Sequence, residues 1–205
     1  LISTPDDHIE RAVILIQANS DKLKGAVALH TSGALSSEAL SPLTDCEIST
    51  GSCHPLQSFE TPARALALVR QSYFCIEGKP RAVRAARRLV RSLGAGHFEV
   101  PTRMKALYHA AAVMASAGVV SLLSISLEAL ARCGLDEKKS RRVLLPLVEG
   151  TVANVRAVGT ARALTGPARR GDVKTIERNI EALARVDKRW LQIYLLLIQK
   201  KSGES

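Results

Sequence analysis

A chain of 205 residues with 46% hydrophobic content carries enough apolar side chain to bury a core in one large domain or two small ones, which excludes a disordered chain. The net charge of +10 admits an anionic ligand or nucleic acid, but aromatic residues at 3% leave few platforms for stacking bases, so no nucleic-acid partner is expected. Cys46, Cys53, Cys75 and Cys133 show no C-x-x-C spacing and read as reduced core thiols of a cytoplasmic protein. No metal site is expected, because Cys53 and His54 are neighbours on a predicted strand and point to opposite faces.

The chain opens "LISTPDDHIERAV". Residues 1–4 read as the tail of a buried strand, Pro5 ends its ladder, and Asp6 or Asp7 caps a helix whose Ile9, Val13 and Ile16 recur at four- and three-residue steps. A strand tail in first place predicts an N-terminal truncation that removed the strand's beginning. Strand-like runs then alternate with helical stretches at residues 27–30, 47–53, 73–77 and 97–100, the pattern of an α/β sheet with mostly parallel strands. Before the last run, "KPRAVRAARRLVRSLGA" sets Arg81, Arg84, Arg88 and Arg91 on one helical face and Val83, Ala86, Leu89, Val90 and Leu93 on the other. It predicts a helix that covers the sheet and presents its arginines to solvent.

Past Pro101 only helices are predicted, which divides the chain into an α/β domain at 1–101 and an all-α domain at 102–205. From Ala106 to Leu127 no residue is formally charged, a length that meets the criterion for a membrane span. Tyr108, His109, the serines and the many alanines favour instead a helix buried all round in a helical domain, its small residues admitting close neighbours, including some from a second subunit. No membrane is expected. Further along, Pro146 is predicted to kink or interrupt a helix, Asp172 to cap one, and the tail at 202–205 to fray.

Ligands of open α/β sheets sit beyond the carboxyl ends of the strands, where this sequence carries "TPDD", "HTSG" and "CHPLQSF". The hydroxyls and backbone amides of His30, Thr31, Ser32 and Gly33 suit the ribose or amide of a cofactor, or equally a plain capped turn. Lys105 and His109 stand one helical turn apart, with Ser116 continuing their face. Such a pair could protonate a developing alkoxide and orient a carbonyl; the simpler alternative is a solvated lysine beside a core histidine. In "ALTGPARRGD", Thr165, Gly166 and Pro167 must turn, Gly171 permits close approach, and Arg169 or Arg170 could hold an anion. No G-x-G-x-x-G or Walker-type loop occurs in the sequence, so a dinucleotide's pyrophosphate would need a loop outside it.

Taken in order, "TPDDHI", "VALHTSGALSSEAL", "SCHPLQSFE", "KALYHAAAVMAS", "LLPLVEGTVANV" and "ALTGPARRGD" resemble the Rossmann-like proteins that carry domain of unknown function 2520, within the 6-phosphogluconate dehydrogenase-like superfamily. The resemblance implies a partial Rossmann-like sheet without its first strands and glycine loop, followed by a helical domain that forms a homodimer. It implies an NAD or NADP cofactor near Thr4, Pro5, Asp6 and His30 to Gly33. The His54-Pro55 pair resembles the His-Pro turn of prephenate dehydrogenases, and Lys105 with His109 resembles the Lys-x-x-x-Asn pair of hydroxyacid dehydrogenases.

The expected activity is therefore hydride transfer between NAD(P) and a small carbonyl, hydroxy or imine compound. Lys105 and His109 would be the catalytic pair, and His54, Pro55, Ser116, Thr165, Gly166, Arg170 and Asp172 the substrate side. His109 in the asparagine's place, and Ala117 where the family pattern suggests an asparagine, leave open an alternative: a non-catalytic nucleotide-binding or dimeric scaffold with the dehydrogenase fold.

Overall fold

The computed structural model describes residues 1–59 and 61–199; the tail at 202–205 lies outside them. Four strands, β1 (Val27–His30), β2 (Ser49–Leu56), β3 (Tyr73–Gly78) and β4 (Gly96–Glu99), form one sheet in the order β1-β2-β3-β4. Ile2 extends it through a parallel bridge to His30, with its N–H on Leu29 O at 2.7 Å and its carbonyl accepting from Thr31 at 3.0 Å. The opening residues thus lie in the sheet as a strand would. The pairs β1/β2 and β3/β4 are parallel, whereas β2/β3 is antiparallel. Leu56 pairs with Tyr73, so the connection between them, which holds α2 (Pro62–Val69), stays at one end of the sheet.

Side-chain alternation splits the strands into two faces. Leu29, Cys53, Phe74 and Ile76 bury one face against Ala82, Ala86 and Val90 of α3 (Pro80–Ser92). Ala28 lies on the other face, in a cluster with Ile9 and Val13 of α1 (Ile9–Gln17) and with Leu40 and Leu43 of a 3-10 segment, Ser37–Leu43. The buried line of α3 differs from the expected one. It runs through small residues four apart, with Leu89 and Leu93 more than a third exposed. The reason is close approach: a Cβ on Gly51 would stand 3.0 Å from that of Ala82. Arg81, Arg84, Arg88 and Arg91 face solvent as expected.

β2 also continues through His54 and Pro55, which pair with Cys75 and Phe74 and so are strand residues, not a turn beyond its end. Pro55 is tolerated because β1 stops pairing at Ser52, leaving the side where an N–H would be missed without a neighbouring strand. Neither Asp6 nor Asp7 caps α1, whose N-cap position is His8; Asp6 accepts from the Ser32 hydroxyl instead, at 2.8 Å.

The chain forms two compact units, which divide after Val119. This is later than the compositional break at Pro101, because α4 (Lys105–Ala115) packs on the sheet. The apolar stretch is two helices, α4 and α5 (Ala117–Arg132), interrupted at Ser116. It is not buried all round: Leu107, Met114 and Val120 are 63%, 73% and 67% exposed. By length and composition, Thr102–Arg132 could also cross a membrane.

The second unit continues with α6 (Glu137–Ala163), α7 (Pro167–Arg170), α8 (Val173–Val186) and α9 (Lys188–Gln199). Pro146 does not interrupt α6. The departure from helical geometry falls at Gly159, at φ 74°, which glycine adopts without a Cβ penalty. Asp172 caps α8 as its sequence predicts, accepting from the backbone N–H and the hydroxyl of Thr175 at 3.1 and 2.7 Å.

Candidate active site

On the sheet face opposite α3, strand alternation lines up His30, Ser52, His54, Cys75 and Glu77. His30 pairs with Ser52, Ser52 with Glu77, and His54 with Cys75. α4 meets this polar strip in register, because one helical turn between Lys105 and Tyr108 or His109 spans about the distance between alternate strand residues. Lys105 Nζ donates to Ser52 Oγ at 2.8 Å, and Ser52 Oγ donates to the Ser32 carbonyl at 3.4 Å. One hydroxyl thereby joins the end of β1 to the first turn of α4. His54 Nδ1 lies 2.7 Å from the Tyr108 hydroxyl, and His54 and His109 meet edge to face at 5.9 Å between ring centroids.

Lys105 is 1% exposed, not the solvated residue of the simpler reading. Burial lowers its pKa, against the nearby Cys75 and Glu77, which raise it. Its ammonium also sits 5.4 Å from the Tyr108 ring centroid, a cation–π contact. Glu77, likewise buried, accepts from Ser37 N–H and Oγ, both at 2.7 Å, and from Thr102 Oγ1 at 2.9 Å. Thr102 opens the 3-10 turn that leads into α4, so this carboxylate fixes where Lys105 starts.

His30 is fully buried and accepts from Ser32 N–H at Nδ1, at 3.2 Å; the neutral ring then donates from Nε2 to Ser36 O at 3.0 Å. Burial lowers its pKa, and both nitrogens are spent on closing the loop after β1. Gly33 is close-packed under two rings: a Cβ there would stand 2.5 Å from His109 Nδ1 and 2.7 Å from His54 Nε2. Within the first unit, His54, Phe98, Tyr108, His109, Ala112 and Ser116 help line a cavity of about 640 Å³.

Burial, then the Lys105 ammonium, then His109 push the His54 pKa from 6.5 down to about 4. The unfolded chain therefore binds the proton first. Stability from neutral His54 is full above pH about 6.5 and is lost as pH falls toward the folded value. An imidazole NMR titration is expected to place the His54 midpoint near pH 4; an ordinary midpoint would contradict the burial and charge described here.

The first unit brings together Asp6 with Ser32, Ser32 with Lys105 through Ser52, and Gly33, His54 and His109 in one cluster. Thr4, Pro5 and Asp6 are exposed just before α1, and Thr31 is half-buried. Pro55 shares a strand with His54 but does not line the cavity. Thr165, Gly166, Arg170 and Asp172 belong to the second unit, where Gly166 and Gly171 turn with φ 93° and 66° and Arg169 donates to the carbonyls of Arg162 and Leu164. Ser52, Cys75, Glu77 and Tyr108 were not singled out from the sequence. For the three strand residues the signal is polar side chains at alternate positions of apolar strands, in "SCH" and "CIE"; Tyr108 lies three residues after Lys105 on the same helix.

Fold and site define a Rossmann-like α/β unit joined to a helical unit. The family model described as domain of unknown function (DUF2520) matches residues 72–201, and the chain belongs to that family. Among solved structures, protein TM1727 of Thermotoga maritima is similar, with a TM-score of 0.80 and 27% identity over 97% of this chain and 75% of that one. A Bacteroides fragilis protein provisionally assigned as an NADP oxidoreductase follows, with a TM-score of 0.71 and 20% identity over 98% and 74%. The Plasmodium falciparum pyrroline carboxylate reductase with NADP bound shares the fold at a TM-score of 0.62 and 14% identity, over 98% and 78%. No curated protein matches the chain in sequence.

Proposed function

We propose that the protein is an NAD(P)-dependent oxidoreductase that passes hydride between the nicotinamide and a small carbonyl, hydroxy or imine compound. The observation that carries this reading is the convergence of the β1 end, the β2 strip and the first turns of α4 on Gly33 and the adjoining cavity. The fold is shared with a pyrroline carboxylate reductase that has NADP bound and with a protein provisionally assigned as an NADP oxidoreductase, which supports the same assignment. A bound dinucleotide would supply the hydride, and the residues present suit its nicotinamide half. Asp6 orients the Ser32 hydroxyl, Thr4 and Pro5 are accessible, and the Gly33 backbone ties this loop to the two imidazoles. His30, with both nitrogens engaged, holds this loop in shape.

The remaining work falls to the α4 face. With the Tyr108 phenol as donor to Nδ1, neutral His54 carries its proton on Nε2, the atom that faces Gly33. That N–H is placed to donate to a carbonyl or imine held in the cavity. The family resemblance gives the proton to Lys105, but its buried ammonium is engaged by Ser52. In this reading Lys105 supplies positive charge beneath the site, where low dielectric strengthens it, and His109 walls the cavity. Exposed apolar residues on α4, α5 and α6 support a homodimer whose second copy covers them, in a soluble cytoplasmic protein.

Titrating NADPH into the full-length protein, followed by a carbonyl and imine screen, tests the reading. Saturable binding and a turnover that His54→Gln lowers at least tenfold are expected. No saturable binding would sink the proposal, and binding without any turnover would leave a non-catalytic nucleotide-binding protein.

A further inference from the structure

The cavity between β2 and α4 also carries information about what it accepts. Its walls are mostly apolar, with Leu56, Phe98, Ala111, Val113 and Ala115 among them; its polar residues are His54, Tyr108 and His109, together with the neutral Gln57, Ser58 and Ser116. Among the described residues that line it, none is Lys, Arg, Asp or Glu. The nearest cation in the mechanism, Lys105, is buried with its ammonium on Ser52. His109 Nδ1 is buried without a hydrogen-bond partner among the described residues.

We propose that the substrate is an uncharged compound with an apolar body and one carbonyl or imine, bound with that group at the His54–His109 end. The proposal rests on the oxidoreductase reading and narrows its substrate class. A volume of about 640 Å³ is that of a site for a medium-sized organic molecule, not for a two- or three-carbon acid. Placing a carboxylate or phosphate against these walls would strip its hydration with no cation in the lining to pair with it directly. A neutral carbonyl needs only one hydrogen-bond donor, which the imidazole end supplies. The apolar walls take the rest of the molecule, by burial of its surface. None of the residues assigned above to the cofactor lines this cavity.

Binding, not turnover, tests this, so the result stays readable even if the protein proves not to reduce anything. Acetophenone and its carboxylated counterpart phenylglyoxylate would be titrated into the full-length protein by calorimetry, with and without NADPH. Acetophenone is expected to bind at least tenfold more tightly, and its binding is expected to fall at least tenfold in Ala112→Trp and in Val113→Trp, whose indoles would fill the cavity. Val113 is 43% exposed, so that second variant can fold even if the first does not. Equal binding, a preference for phenylglyoxylate, no binding of either compound, or binding indifferent to both tryptophans would overturn the proposal. Failure of the oxidoreductase reading shows separately, as absence of NADPH binding.

Discussion

Lys105→Met is expected to lower turnover by about two to three orders of magnitude while leaving NADPH affinity within a few fold. Methionine keeps most of the volume and removes the charge, so packing under Tyr108 survives. What is lost is the ammonium that polarises the strip through Ser52 and lowers the His54 pKa. A second readout follows from that coupling: the His54 midpoint should rise above about 4 in the variant. Removing one buried charge while Ser52 and Glu77 stay behind can itself destabilise the fold, so the urea midpoint of the variant is read alongside and turnover is compared where both proteins are folded. Unchanged turnover with an unchanged His54 midpoint would remove Lys105 from the mechanism.

Glu77→Ala is expected to cost about 3 kcal/mol of stability, read as a lower urea midpoint at an unchanged slope. Its carboxylate is the acceptor for three donors, two on Ser37 and one on Thr102. Ser37 is itself buried, so its N–H would be left without a partner and without water. Glu77→Gln keeps one acceptor oxygen and should cost about half as much. Because Thr102 leads into α4, the alanine variant should also loosen Lys105 from Ser52. A loss below about 0.5 kcal/mol for Glu77→Ala would show that these bonds are replaced by others.

Much of this architecture was legible in the chain. The β1 run at 27–30 emerges with its predicted bounds, and the alternation of strands and helices gave the α/β class. Lys105 and His109 share a helical face as their spacing requires, and Asp172 caps α8. The direction of β3 was not legible, because composition does not say at which end of a sheet a connection returns. The buried line of α3 was mistaken because apolarity favours leucine, whereas close packing on Gly51 selected alanine. Lys105 looked solvated because a lysine in a first turn usually is, and only the partner strand's Ser52 makes its burial tolerable. Glu77 escaped notice for a related reason: its donors lie 40 and 25 residues away, a distance no local pattern spans.

The central claim is that the end of β1, His54 and His109 border one cofactor and substrate space. The most direct measurement follows the imidazole resonances of the full-length protein during an NADPH titration. The account predicts that His54 and His109 shift together and saturate with a single Kd while His97, on β4, stays still. Saturable NADPH binding that moves neither His54 nor His109 would contradict it.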